Sequence, residues 1–177
     1  MNFASIALLS LSLSGTIGVA ADPVAGDDRK PHCDSRFAAS GPANIALCTA
    51  ELNAPGLSDN IRAMLLNIRG NNYDFTRQYD LAIADYSEVI RLKPSFLGYA
   101  YANRGLEKCR KGQCAGALID YNEAIRIDPD NTYALYGRGV ARVRSGDTAG
   151  GHADIDKVNA EDNGDTAKLY VQIDMTP

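Results

Sequence analysis

Four cysteines and two histidines carry the widest chemical repertoire in this chain. Cys109-x4-Cys114 is not the C-x-x-C spacing of a redox enzyme. A zinc site needs close pairs of cysteine or histidine, and His32 beside Cys33 with a remote His152 does not supply them. Structural disulfides are the better expectation, and four cysteines allow three pairings. Cys33 and Cys48 flank the first helical pattern, and Cys109 and Cys114 bracket the turn signal Lys111-Gly112. The local pairings Cys33–Cys48 and Cys109–Cys114 are therefore expected, with no metal and no cofactor. No G-x-S-x-G, P-loop or dinucleotide fingerprint occurs. His152 has no evident nucleophile beside it and reads as an exposed side chain. No catalytic residue is expected, and the chain is not read as an enzyme.

Charged and aromatic residues show more order. Arg69, Arg104 and Arg138 each precede a glycine, and Asp85, Asp120 and Asp154 each follow their arginine by 16 positions. One offset used three times implies a recurring ion pair between paired elements, a register-setting role before a chemical one. Nine tyrosines stand against no tryptophan. Tyr86 and Tyr121 fall at packing positions, whereas Tyr99, Tyr133 and Tyr136 fall on a different series.

The chain is 177 residues long, 45% hydrophobic and 23% charged, which is a globular composition. A net charge of −4 argues against nucleic-acid binding, which depends on neutralising phosphates. Residues 1–21 carry no charged side chain and end on Val19-Ala20-Ala21, the small-x-small pattern of a cleavable signal peptide. An uncleaved membrane anchor is the alternative. Either form puts the remainder outside the cytoplasm, periplasmic or secreted, where cysteines pair by default.

The elements that position these residues repeat. Asn67-Ile68-Arg69-Gly70 … Tyr79-Asp80-Leu81-Ala82-Ile83-Ala84-Asp85-Tyr86 … Arg91-Leu92-Lys93-Pro94 is the first copy. Ala102-Asn103-Arg104-Gly105 … Ala117-Leu118-Ile119-Asp120-Tyr121 … Arg126-Ile127-Asp128-Pro129 is the second. Gly137-Arg138-Gly139 … Gly151-His152-Ala153-Asp154-Ile155 is a degenerate third, with Asn163 where proline would fall. Ala82, Ile83, Tyr86, Val89 and Ile90 recur at helical spacing, as do Ala117, Leu118, Tyr121, Ala124 and Ile125. Gly70, Gly105 and Gly139 opposite Ala82, Ala117 and Gly151 allow two helices to approach closely. Gly112 and Gly146 suit left-handed helix ends, and Arg77 stands at the same place in the first copy. Pro94 and Pro129 stop second helices.

These motifs resemble the tetratricopeptide repeat (TPR), a 34-residue helix–turn–helix unit. Their phrasing also resembles exported bacterial members, which often begin with a short cysteine-containing half-repeat. The resemblance implies an all-α, right-handed superhelical stack. Residues 22–62 would form a lead-in and covering helix, with 63–96, 98–131 and 132–165 as repeats and 166–177 as a C-terminal cover. The cover reads as a helix over Thr166–Ile173, with a short strand-like tail as the alternative. The resemblance also implies that first helices line a concave groove that takes a peptide or partner protein. Asn67, Asn71, Tyr99, Leu106, Arg110, Tyr133, Tyr136, Val140 and Arg144 would be the binding positions. Packing between repeats is the competing reading for Leu106, Val140 and some of the tyrosines. Chaperone-binding members clamp a terminal carboxylate with basic residues. Here Asn71 and Asn103 match two clamp amides, but Asn67, Tyr133 and Gly137 occupy the basic places. An envelope-glycan site on the same Tyr/Asn face is the other function considered.

Overall fold

A computed structural model describes Cys33 and residues 41–172. The expected signal peptide, the rest of the lead-in before residue 41, and Ile173 lie outside the described residues. Among the described residues are eight α-helices and no strand: α1 Gly41–Leu52, α2 Asp59–Phe75, α3 Tyr79–Leu92, α4 Leu97–Arg110, α5 Cys114–Ile127, α6 Thr132–Arg144, α7 Thr148–Asp162 and α8 Asp165–Gln172. Three antiparallel pairs, α2/α3, α4/α5 and α6/α7, stack through α3/α4 and α5/α6 contacts, while α1 covers α2 and α8 covers α6 and α7. First helices also meet across the inner side, α4 against α6. The molecule is a TPR-like right-handed superhelix whose inner arc is made by first helices.

Local chemistry sets the helix limits. Ser58, Asn131 and Asp147 cap α2, α6 and α7 by accepting from the backbone N–H of Ile61, Ala134 and Gly150. The Ser58 cap starts α2 four residues before Ala63, inside the segment assigned from sequence to the lead-in. The turns within the three repeats are alike. Gln78, Gln113 and Asp147 each donate to a carbonyl five residues back, at 2.8, 2.9 and 2.9 Å. The residue before each, Arg77, Gly112 or Gly146, takes φ of 57°, 79° or 97°. Arg77 therefore adopts the left-handed state that glycine takes freely, at a local cost that the stacked register overrides.

Helix pairs close over small residues. A Cβ at Gly70 would lie 2.7 Å from the Tyr86 ring, and one at Gly105 would lie 3.2 Å from that of Tyr121. The third pair closes more tightly, backbone on backbone. A Cβ at Gly151 would lie 2.6 Å from the Gly139 carbonyl oxygen. The helix propensity lost at Gly150-Gly151 is thus the condition for α6 and α7 to touch.

The repeated Arg–Asp offset is a three-helix tie. Arg69, Arg104 and Arg138 each donate two parallel bonds to Asp85, Asp120 and Asp154, at 2.6–3.0 Å. The remaining Nη1 reaches back 3.1 Å to Thr49, Ser87 or Asn122 on the preceding second helix. Thr49 thus places α1 at the position of a second helix relative to the first repeat. The Cys33–Cys48 disulfide ties this helix to the chain before it. Its partners are 15 residues apart, as are Asn71 and Tyr86, which hydrogen-bond at the corresponding place in the first repeat. Cys109–Cys114 closes the turn between α4 and α5.

Candidate functional site

First helices expose a discontinuous polar and aromatic strip on the inner face. Tyr99 is 38% exposed. Asn71 is exposed, and its Oδ1 accepts from the Tyr86 hydroxyl at 2.8 Å. Asn67 is half-buried, and its Oδ1 is enclosed without a hydrogen-bond partner. Tyr133 is half-buried against Tyr170, with ring centroids 5.1 Å apart.

Three of the sequence-derived binding positions are core instead. Leu106, Tyr136 and Val140 are 3%, 4% and 0% exposed. They fill the space between repeats two and three together with Cys109, Tyr121 and Val158. Their apolar bodies gain more from that burial than from an open groove. Arg110 is a bridge between repeats: it pairs with Asp74 of α2, bonds Glu107 at 3.2 Å, and lies over the Tyr79 ring at 5.6 Å. Arg144 is exposed at the end of α6, beside a cleft lined by Cys109, Gly112 and Cys114.

The structure adds Glu107, which the sequence reading did not single out, and shows what surrounds Tyr121 and Tyr170. Glu107 is 1% exposed, and its Oε2 has no hydrogen-bond partner. Burial pushes its carboxyl up to about 8, and Arg110 donates to its other oxygen at 3.2 Å. Tyr121 Oη is likewise enclosed, beside the Tyr170 hydroxyl. In repeat one the equivalent hydroxyl, of Tyr86, bonds Asn71, but repeat two has Leu106 at that place. Tyr170 of α8 is fully buried; its hydroxyl donates to the Tyr133 carbonyl at 2.9 Å, and its ring lies 4.8 Å from that of Tyr136. Burial raises the phenol pKa of Tyr121, Tyr133 and Tyr170, so all three are neutral donors at physiological pH. One signal for Tyr170 was present in the sequence: it follows Tyr136 by 34 residues, one repeat period.

Among the described residues no group of three His, Cys, Asp or Glu side chains is placed to hold a metal ion. No helix among them is long and apolar enough to cross a membrane.

Residues 105–146 match a family model described as TPR repeat. A search of curated proteins finds no match. Among solved structures, the chain is similar to the TPR domain of OM64 from Arabidopsis, with TM-score 0.59 and 23% identity over 65% of this chain and 95% of that one. It is similar to the first TPR of Spaghetti (RPAP3), solved with the HSP90 peptide SRMEEVD, with TM-score 0.57 and 22% identity over 68% and 96%. It is also similar to MamA protein, with TM-score 0.59 and 19% identity over 70% and 65%. One repeat of the chain thus matches the TPR family model, and the solved TPR structures share its all-helical stack.

Proposed function

We propose that this chain is an exported, non-enzymatic interaction module that takes a peptide or partner protein along the inner face of its stack. The observation that supports the reading is that successive first helices keep Asn71 and Tyr99 exposed and Asn67 and Tyr133 half-buried. Such a surface joins amide hydrogen bonding to aromatic anchors, the usual means of peptide capture. The similar Spaghetti domain was solved with a peptide. Recognition here is of a different kind, because Asn67, Tyr133 and Gly137 stand where the resemblance would require cations for a terminal carboxylate. Export rests on residues 1–21 and on the paired cysteines, which persist in oxidising compartments. A net charge of −4 favours a protein partner over nucleic acid.

The test is affinity purification from the cell envelope with the oxidised chain and with an Asn67→Ala/Tyr99→Ala variant. A partner held by the chain and lost by the variant is expected. One held equally by both overturns the inner-face reading. N-terminal sequencing of exported protein should return Asp22; Met1 would contradict cleavage.

A further inference from the structure

The second repeat closes its turn with a covalent bond that its neighbours do without. The turns at Gln78, Gln113 and Asp147 make the same backbone bond, to the carbonyls of Tyr73, Lys108 and Arg142, at 2.8, 2.9 and 2.9 Å. Of the three, the middle turn carries a disulfide, Cys109–Cys114. Its cysteines are five residues apart, so the bond removes little loop entropy from the unfolded chain. The turn forms in repeats one and three without it, so its geometry does not require the bond.

The repeat register says what stands around the disulfide. Cys109 and Cys114 follow Asp74 and Tyr79 by 35 residues, and Arg144 follows Arg110 by 34. These are the separations of Gly70 from Gly105 and of Gly105 from Gly139. At the first interface between repeats, Arg110 reaches back to the Asp74 carboxylate and lies over the Tyr79 ring at 5.6 Å. At the second interface, Arg144 holds the place of that arginine, and the two cysteines hold the places of its partners. The structure brings the three together. A cleft of about 350 Å³ is lined by Cys109, Gly112, Cys114 and Ala115 of repeat two and by Arg144 and Ser145 of repeat three. The disulfide thus stands beside a guanidinium, where the preceding interface holds an anion. Of its two residues, Cys114 is the more exposed, at 6% against 1% for Cys109.

We infer that Cys109–Cys114 is a reversible S-thiolation site for a low-molecular-weight thiol that carries a carboxylate. The incoming thiolate attacks Cys114 Sγ from the cleft. A sulfur–sulfur bond forms to Cys114, the Cys109–Cys114 bond breaks, and its electron pair leaves on Cys109 Sγ. Cys109 is then a thiolate at the place of Asp74, beside the Arg144 charge, and a stabilised thiolate is the better leaving group. The carboxylate of the thiol is drawn to the same guanidinium. A second molecule of the thiol attacks the sulfur of the first, departs with it as a disulfide, and leaves Cys114 as a thiol. The two-electron reduction of the protein is balanced by oxidation of two thiols, whose protons pass to solvent and to Cys114. The turns of repeats one and three stand on their backbone bonds alone, so opening this bond leaves the fold in place. The site is independent of the inner-face reading above.

The probe is glutathione, with cysteamine as its cationic counterpart, added near neutral pH to the full oxidised chain. Samples are quenched with N-ethylmaleimide and mapped by peptide mass spectrometry. The glutathionyl group is expected on Cys114, with N-ethylmaleimide on Cys109 and an unchanged far-UV circular dichroism spectrum. Arg144→Gln should slow exchange with glutathione about fivefold or more, and exchange with cysteamine by less. Arg144→Lys keeps the charge and should retain most of the rate. Exchange at Cys33–Cys48 in the same samples should respond to neither substitution. A glutathionyl group on Cys109, or on neither cysteine, overturns the inference. So does an Arg144→Gln chain that reacts with glutathione as fast as the unsubstituted one, or one slowed equally at both disulfides. Loss of helical signal as the bond opens would make it a structural staple and overturn the inference as well.

Discussion

Replacing Glu107 by glutamine should remove a pH dependence built into the centre of the stack. In the unfolded chain this carboxyl titrates near its ordinary value of 4.5, whereas in the folded chain burial holds it at about 8. The folded state therefore binds the proton more tightly. The associated stability is complete below 4.5 and is lost as pH rises towards and through 8. The separation, 8 − 4.5, is 3.5 units, and each unit corresponds to about 1.4 kcal/mol, so the ceiling is about 5 kcal/mol. That folded value is the net of every group around the carboxyl, Arg110 included. The group is half ionised in the unfolded chain at pH 4.5 and half ionised in the folded chain at pH 8, so about 4 kcal/mol should be missing from the wild-type chain at pH 8 relative to pH 4.5. Glutamine has the same shape and does not ionise. Glu107→Gln should match the wild-type chain near pH 4.5 and exceed it by about 4 kcal/mol at pH 8. Urea unfolding followed by far-UV circular dichroism at the two pH values measures this directly. Curves for the two proteins that fall in parallel between these pH values would show that Glu107 is not the group responsible, and the account of its burial would be wrong.

Asp120→Ala leaves Arg104 and Lys108 facing an empty place on α5; breaking such a buried pair should cost about 3 kcal/mol in urea unfolding, and a cost under about 1 kcal/mol would refute the tie. Gly151→Ala should cost more than Gly105→Ala, because its methyl meets the Gly139 carbonyl at 2.6 Å while that of Gly105→Ala meets the Tyr121 ring at 3.2 Å; thermal melting in the reverse order would contradict the backbone contact. Cys33→Ser with Cys48→Ser opens a 15-residue loop, worth about 3 kcal/mol in the chain-entropy account. Hydrogen exchange should then accelerate first in α1, and uniform acceleration across the stack would refute its role as an end cover.

Much of the stack was legible because its signals are periodic. Glycine opposite alanine, and arginine 16 residues before aspartate, are spacings that each repeat imposes for the same geometric reason. Arg77 was less legible: its left-handed backbone is visible only once its turn is seen to make the same bonds as those at Gly112 and Gly146. Glu107 was silent, because a glutamate between Leu106 and Lys108 reads as a solvated helix position. Its burial comes from the packing of helices distant in sequence, and no local pattern encodes that. The binding strip was legible only in part. Repeat position separates first helices from second ones, but not an exposed Tyr99 from a buried Tyr136. That difference arises where Tyr170 folds back over α6.

The Cys33–Cys48 bond gives the N-terminal end of the stack an environmental sensor. In a one-dimensional array each unit leans on its neighbours, and the end unit, with one neighbour, sets where fraying starts. Here a covalent bond ties the first described helix, α1, to Cys33. The same sequence is thus a closed array where thiols are oxidised and an open-ended one where they are reduced. Helix α1 is thus the part of the array whose anchoring depends on the redox state around it.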